Sequence, residues 1–457
     1  MDAQKLTVEM ERALGGVPVF DVHTHLVGGK LAARGLHDVF LYHMVISDLY
    51  AAGCPSGARL TQFPRWATPE EARARIEEAL HYIEYIKGGS MYWCLRTILR
   101  DLYGWKEPLA AGNWRKLDAL IRERADDRAW QREVLDRVRI RRSCTEWARR
   151  GDGADDDRLQ YSLEWAMFVR CQWGEFDTAL YELERCWGRQ PESPAPIGSG
   201  TRPKPDREIR SLDDVHAAVR HYVAVIPYGR VLSTAVTFSS DIDYAPVTDA
   251  EMAAAIARRG QAGPRERHLY GSYIQEAFLT ELEKHGDEIV FQFALGAEPL
   301  PFETGSRIYQ RTIAQLAEMV GRHPKLRFQC FLASRHANQS LCSLAREFTN
   351  LSLAGYWWHN FYPNAICQVM AERLEMLPSN RQMGFFSDAY CVEWAYGKAV
   401  LVRKMMAKVL AGKVLDGQYT KQEALDLAHA ILYNAPQEVL GMKPYEGAEC
   451  KPKARKS

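Results

Sequence analysis

The sequence predicts an α/β fold, a TIM-type (β/α)8 barrel with a helical insertion after the first strand. Three observations carry that expectation. From about residue 210 onward, short apolar runs alternate with helical patterns at spacings of roughly 35 to 60 residues, the order of repeated βαβ units. The runs lack strict apolar/polar alternation, as parallel strands buried on both faces do. The chain has 457 residues, a length that suits a barrel carrying insertions. No G-x-G-x-x-G follows any of the runs, so a doubly wound dinucleotide fold lacks its fingerprint.

Each element has a local reason. Residues 1–15 are charged and helical in pattern, without the apolar stretch of a signal peptide. The run 17–21 reads as the first strand. Residues 28–140 are mostly helical, rich in Arg, Glu, Trp and Tyr, and read as the insertion. Within it, Thr68-Pro69-Glu70-Glu71 is a capping box with proline at the first helical position, and Ile76, Leu80, Ile83 and Ile86 recur at helical spacing. Residues 188–210 are rich in Pro, Gly and Ser and read as a loop. Ser211, Thr248 and Thr420 open further helices, the second closed by Gly260. Strands are expected at 230–238, 288–295, 326–332, 351–357 and 384–387. The division is thus 1–27 for the first helix and strand, 28–140 for the insertion, 141–440 for the rest of the barrel and 441–457 for a tail.

Composition excludes several function classes. Hydrophobic residues make up 47% and charged residues 26%, an ordinary globular balance. A formal net charge of +1 offers no argument for nucleic acid or an anionic membrane as partner. The basic tail Lys451-Pro452-Lys453-Ala454-Arg455-Lys456 reads as a solvated terminus. The 10 cysteines contain no C-x-x-C pair and are expected as reduced thiols. No stretch approaches the roughly 18 apolar residues of a membrane span. A cytoplasmic enzyme is the expectation, with a homo-oligomer compatible with it.

Chemistry enters with His23 and His25, at the end of the first apolar run. Alternate residues of a strand share a face, so the two imidazoles point the same way. Imidazole is the commonest transition-metal ligand, and this pair supplies half of a metal site. Asp388 ends the apolar run 384–387 and precedes a helical stretch. At the C-terminal end of a late barrel strand it faces the active-site mouth and suits a third ligand; it also suits a helix N-cap.

Taken in order, these segments resemble the uronate isomerase family of the amidohydrolase superfamily. Phe20-Asp21-Val22-His23-Thr24-His25-Leu26 matches its opening F-D-x-H-x-H-L run. Ile86-Lys87-Gly88-Gly89-Ser90-Met91-Tyr92-Trp93 resembles an aromatic segment of its helical insertion, and Thr201-Arg202-Pro203-Lys204-Pro205-Asp206 its Arg-Pro-Asp loop. Gly355-Tyr356-Trp357-Trp358-His359-Asn360 is similar to its Trp-Trp-Phe-Asn-Asp run, Gly384-Phe385-Phe386-Ser387-Asp388 to its Thr-Asp-Ser-Arg strand end, and Ile431-Leu432-Tyr433-Asn434-Ala435 to its closing helix.

The resemblance implies one divalent metal, zinc or manganese, held by His23, His25 and Asp388. It implies a sugar acid as substrate, interconverted between aldose and ketose forms, such as glucuronate to fructuronate. Asp388 and His359 are then the candidate acid/base groups, and Arg202, Trp357, Trp358 and His43 the substrate contacts. Arginine suits a carboxylate clamp because it donates two parallel hydrogen bonds, and tryptophan can stack on a sugar or simply pack. Glu298, Glu303 and His336 are polar residues within reach of strand ends. The chain also departs from the family pattern. A tyrosine and an arginine of the family's Asp-His-Tyr-Lys-Trp-Arg segment fall at Met44 and Ser47, its Ser-Asp-His reads Ser240-Asp241-Ile242, its Gln-x-His reads Gln292-Phe293-Ala294, and Ala389-Tyr390 follow Asp388. These departures keep open a metal-dependent hydrolase and a sugar-acid-binding relative without turnover.

Overall fold

The computed structural model describes residues 2–26, 28–55, 68–146, 156–164, 178–187, 205–225, 231–233, 246–261, 263–284, 289–296, 310–358 and 361–441. Its strands are β1 (Val19–Thr24), β2 (Ile140–Glu146), β3 (Leu159–Glu164), β4 (Val231–Ser233), β5 (Val290–Leu295), β6 (Arg327–Leu332), β7 (Leu351–Ala354) and β8 (Gln382–Met383). They form one 8-stranded sheet in the order of the sequence, and every pairing is parallel. The α/β class and parallel sheet are as expected.

The two outer strands approach each other. Past β8 the backbone turns to β1: Asp388 N donates to His23 O (3.1 Å), His25 N to Ala389 O (2.9 Å) and Val22 N to Phe385 O (3.4 Å). The expected strand 384–387 is therefore a short β8 followed by a segment bonded to β1. Gly355 makes room for that segment. It takes φ +58°, and a Cβ there would lie 2.1 Å from Phe386 Cβ, which only glycine avoids. That turn also ends β7 at Ala354, short of the expected 357.

β2 and β3 lie outside the expected apolar runs, because hydroxyl residues take buried positions on them, and the Thr145 and Ser162 hydroxyls find acceptors on the neighbouring backbone. Thr145 Oγ1 donates to Thr24 O (3.1 Å), and Ser162 Oγ to Thr145 O (2.9 Å). A buried hydroxyl with an acceptor costs little, so no apolar pattern is needed.

Between β1 and β2 the described elements are all helices, at Leu36–Phe40, His43–Ala51, Pro69–Leu80, Ile83–Ile86, Ser90–Tyr103, Trp114–Arg122 and Arg128–Arg137. The capping boxes at Thr68, Thr248 and Thr420 form as read, each side chain and its glutamate bonding reciprocally. The long helix Val392–Leu415 follows Asp388 and is buried along much of its length. Its Glu393 is wholly buried and accepts from Ala33 N (3.0 Å), Tyr103 Oη (2.7 Å) and Trp130 Nε1 (3.4 Å). One carboxylate thus fastens three separate parts of the 28–140 stretch to the helix behind the site. Among the described residues, no helix is long and apolar enough to cross a membrane.

Candidate metal centre

His23 is the fifth residue of β1 and His25 the first beyond its end. Alternation brings their rings edge to face, 5.1 Å between centroids. Each is braced by an aromatic ring from the segment after β8: His23 stacks on Phe386 (4.9 Å, 6°) and His25 on Tyr390 (4.3 Å, 13°). Asp388 sits between those two aromatics in sequence. It takes φ +53°, a left-handed conformation that costs a non-glycine residue about 1 to 3 kcal/mol and that surrounding structure must impose. Here the bond from Asp388 N to His23 O fixes it. The helix after it is capped at Cys391, so Asp388 is not its N-cap.

The ligand atoms of His23, His25 and Asp388 all lie within 4.8 Å of one another, and all three residues are buried. Nε2 of His25 is hydrogen-bonded to Asp388 Oδ1 at 2.9 Å. Donors around a tetrahedral ion with bonds of about 2.1 Å stand about 3.4 Å apart, a spacing inside the 4.8 Å within which these donors gather. Two imidazoles and a carboxylate are also a donor set that suits a divalent transition ion. The residues therefore fit the metal that the resemblance implies. The proton in the His25–Asp388 contact is the one such a cation displaces.

His43 joins the same carboxylate. It opens the helix His43–Ala51, and its Nε2 lies 3.0 Å from Asp388 Oδ2. Trp358 stacks on its other side (5.1 Å, 12°), and Trp358 too has a left-handed φ, +52°. Burial works to raise the Asp388 carboxyl, yet the adjacent His43 and His25 imidazoles outweigh it and hold the group well below the usual carboxylate range. Burial lowers the His43 imidazole, partly opposed by Asp388. Burial pushes Asp21 up to about 7, against hydrogen bonds from Ser387; Ser387 N donates to its Oδ1 (2.8 Å). Asp21 thus ties the turn before Asp388 to β1.

The other sequence candidates divide. Trp357 is buried and packs on Phe386, the packing role, while the half-buried Trp358 reaches the site. His336 lies in a short helical turn, Arg335–Ala337. Arg202, His359, Glu298, Glu303 and the 240–242 segment lie outside the described residues. Met44 is buried, and Ser47 Oγ donates to His43 O (3.1 Å), so neither polar function of the family segment is present at those positions. Sequence reasoning missed Tyr42, whose hydroxyl donates to Asp388 O (2.7 Å), and Tyr390. Their adjacency to His43 and Asp388 was the available signal. It also missed Lys398, which is buried with Nζ 5.0 Å from the Tyr42 ring centroid and 4.6 Å from that of Phe361.

A parallel sheet and the convergence of His23, His25 and Asp388 define the class, an α/β protein with a candidate metal site. No protein-family profile matches the sequence, and no curated protein matches it. Solved structures do. A glucuronate isomerase from Caulobacter crescentus is similar at a TM-score of 0.75 and 16% identity, over 97% of this chain and 95% of that one. A uronate isomerase from Thermotoga maritima follows at 0.72 and 13%, over 95% and 97%. A Lactobacillus casei protein assigned as a metal-dependent hydrolase is similar at 0.56 and 13%, over 94% and 97%. At these identities the likeness is one of fold: the chain has the fold of the uronate isomerases along nearly its whole length, in keeping with the order of motifs.

Proposed function

We propose that this chain is a metal-dependent enzyme that interconverts aldose and ketose forms of a sugar acid. The observation that carries the reading is the meeting of His23, His25 and Asp388 donors within 4.8 Å at the junction of the first and last strands. The eight-stranded sheet is read as a closed (β/α)8 barrel, supported by the backbone bonds from residues 385–389 to β1, with residues 28–140 as its insertion. The junction then lies at the C-terminal face, where barrel active sites sit.

When bound, a divalent cation supplies Lewis-acid polarisation of a substrate oxygen. The chain's own residues account for the rest. Isomerisation moves a proton between neighbouring carbons and needs a base held close to them. His43 suits that role: burial favours the neutral form of its imidazole, against the pull of Asp388, and Asp388 and Trp358 hold its ring in place. His359 is the second candidate. Asp388 stays ionised and serves as ligand while orienting His43. Trp358 offers an aromatic face to a sugar, and Arg202 is the proposed clamp for its carboxylate.

The fold shared with the L. casei protein and the apolar Met44 in the family's tyrosine position favour a second reading. It is hydrolysis of a C–N or C–O bond, with Asp388 as base toward water. The two separate on products. Purified protein is expected to carry zinc or manganese near one per chain, lost in His23→Ala. Incubation with glucuronate and galacturonate is expected to yield a ketose detectable by NMR. No metal in wild type sinks both readings. Metal without ketose sinks the isomerase, and turnover of an amide or lactone panel then establishes the hydrolase.

A further inference from the structure

At the other end of β1 two arginines converge, and among the described residues no acid meets them. Val19 N donates to Arg139 O (2.9 Å), and Arg403 Nη2 donates to Val17 O (2.6 Å). Both residues are thereby fastened to the same short entry to the strand. Arg403 is 7% exposed, and Arg139 is half-buried. The Nε of each is buried with no hydrogen-bond partner among the described residues. Burial and the Arg139 charge together lower Arg403 to about 10, with no opposing carboxylate among the described residues. Arg139 also holds φ +53°, a conformation that a bulky L residue rarely adopts.

Such a pair calls for a counter-ion. Buried charges are ordinarily paired, and an orphaned buried donor in a native fold marks a group that something else satisfies. A guanidinium presents a planar fork of donors that matches two oxygens of an oxyanion. Arg403 uses Nη2 on Val17 O, and its Nε is left without a partner among the described residues. We propose that Arg139 and Arg403 form an anion site at the N-terminal end of β1 for a phosphate-sized oxyanion, either inorganic phosphate or the phosphoryl group of a small metabolite. Two positive charges suit a dianion, and several oxygens suit two forks. The site is separate from the candidate metal centre: from residue 17 to residue 23, at about 3.3 Å per residue, is roughly 20 Å along the strand.

The test is thermal unfolding of the full chain in inorganic phosphate, in glycerol 3-phosphate and in chloride at matched ionic strength. A saturable rise in Tm with either phosphate compound, absent in chloride, is expected. The tighter of the two identifies the source of the ligand. Because the metal centre could also take an anion, His23→Ala is run beside wild type and is expected to keep the effect. Arg403→Met should weaken the apparent Kd by about tenfold or more, the loss of a charge-assisted contact. Should that variant not fold, Arg139→Gly serves instead, since glycine takes φ +53° without strain. The proposal is overturned if phosphate acts no better than chloride, if His23→Ala abolishes the effect, or if the arginine variants keep the wild-type Kd.

Discussion

The β1–β8 junction and the β5–β6 pair belong to one sheet and treat polar groups in opposite ways. At the junction His25 and His43 both crowd onto one Asp388 carboxylate, and the backbone bends into left-handed conformations at Asp388 and Trp358 to bring the side chains there. On β5 and β6 two glutamines bond to one another and to the β1 backbone instead of converging on a charge. Gln292 Nε2 donates to Gln329 Oε1 (2.8 Å) and to Val22 O (3.1 Å), and both glutamines are wholly buried. Where the family resemblance places a histidine, Ala294 is buried in the inner cluster beside Phe331. Strain and crowded charge are thus spent where chemistry is proposed, and the facing strands serve as scaffold.

Substitutions on the two sides should separate cleanly, and the largest effect is expected at the junction. His23→Ala is expected to remove essentially all bound metal, read by elemental analysis, while the far-UV circular dichroism stays that of the folded chain. Retained stoichiometric metal would erase the distinction. Phe293→Ala, at a buried position of β5, should lower stability by about 3 to 5 kcal/mol through cavity formation, yet leave metal content per folded chain unchanged. Metal loss there would extend the site across the sheet.

Lys398 offers a smaller effect of opposite sign. Burial pushes its ammonium down to about 8 from 10.5. The unfolded chain therefore holds that proton more tightly, and the residue costs stability below pH 8, a cost that fades as pH rises towards 10.5. The difference corresponds to about 3 kcal/mol. Lys398→Met should stabilise the protein at pH 7 by up to that amount and flatten the rise in urea midpoint between pH 8 and 10.5; an unchanged slope would mean another group titrates there. The smallest effect is expected at Ser47→Ala. Its hydroxyl only bonds the His43 carbonyl within the helix, so a loss under about 1 kcal/mol and no change in metal content are expected. A large loss of turnover there would give this position a substrate contact after all.

The sequence disclosed what depends on local pattern. His23-x-His25 follows from strand alternation, and the helix starts at Thr68, Thr248 and Thr420 from capping chemistry. Asp388 was legible as a strand-end acid. Its partner His43 was not singled out by spacing, because the contact joins a helix after β1 to a turn after β8 and no local rule links them. β2 escaped for a different reason. Its Arg141, Arg142, Ser143 and Thr145 deny it an apolar run, and pairing with β1 and β3 together with carbonyls that accept from Thr145 accommodates such a strand. Lys398 looked like an ordinary helix residue until two aromatic rings were found against it.

The His25–Asp388 contact spans 363 residues of chain, and this sets a timetable for the protein's birth. At roughly 5 to 20 residues per second, a ribosome needs about 20 to 70 s between making the two ends of that contact. Through that interval the histidine pair waits on a nascent chain with its carboxylate not yet made. The candidate metal centre would therefore be a late product of translation, and a ribosome-stalled chain lacking the last seventy or so residues should leave the tunnel with helices formed and no capacity to retain an ion.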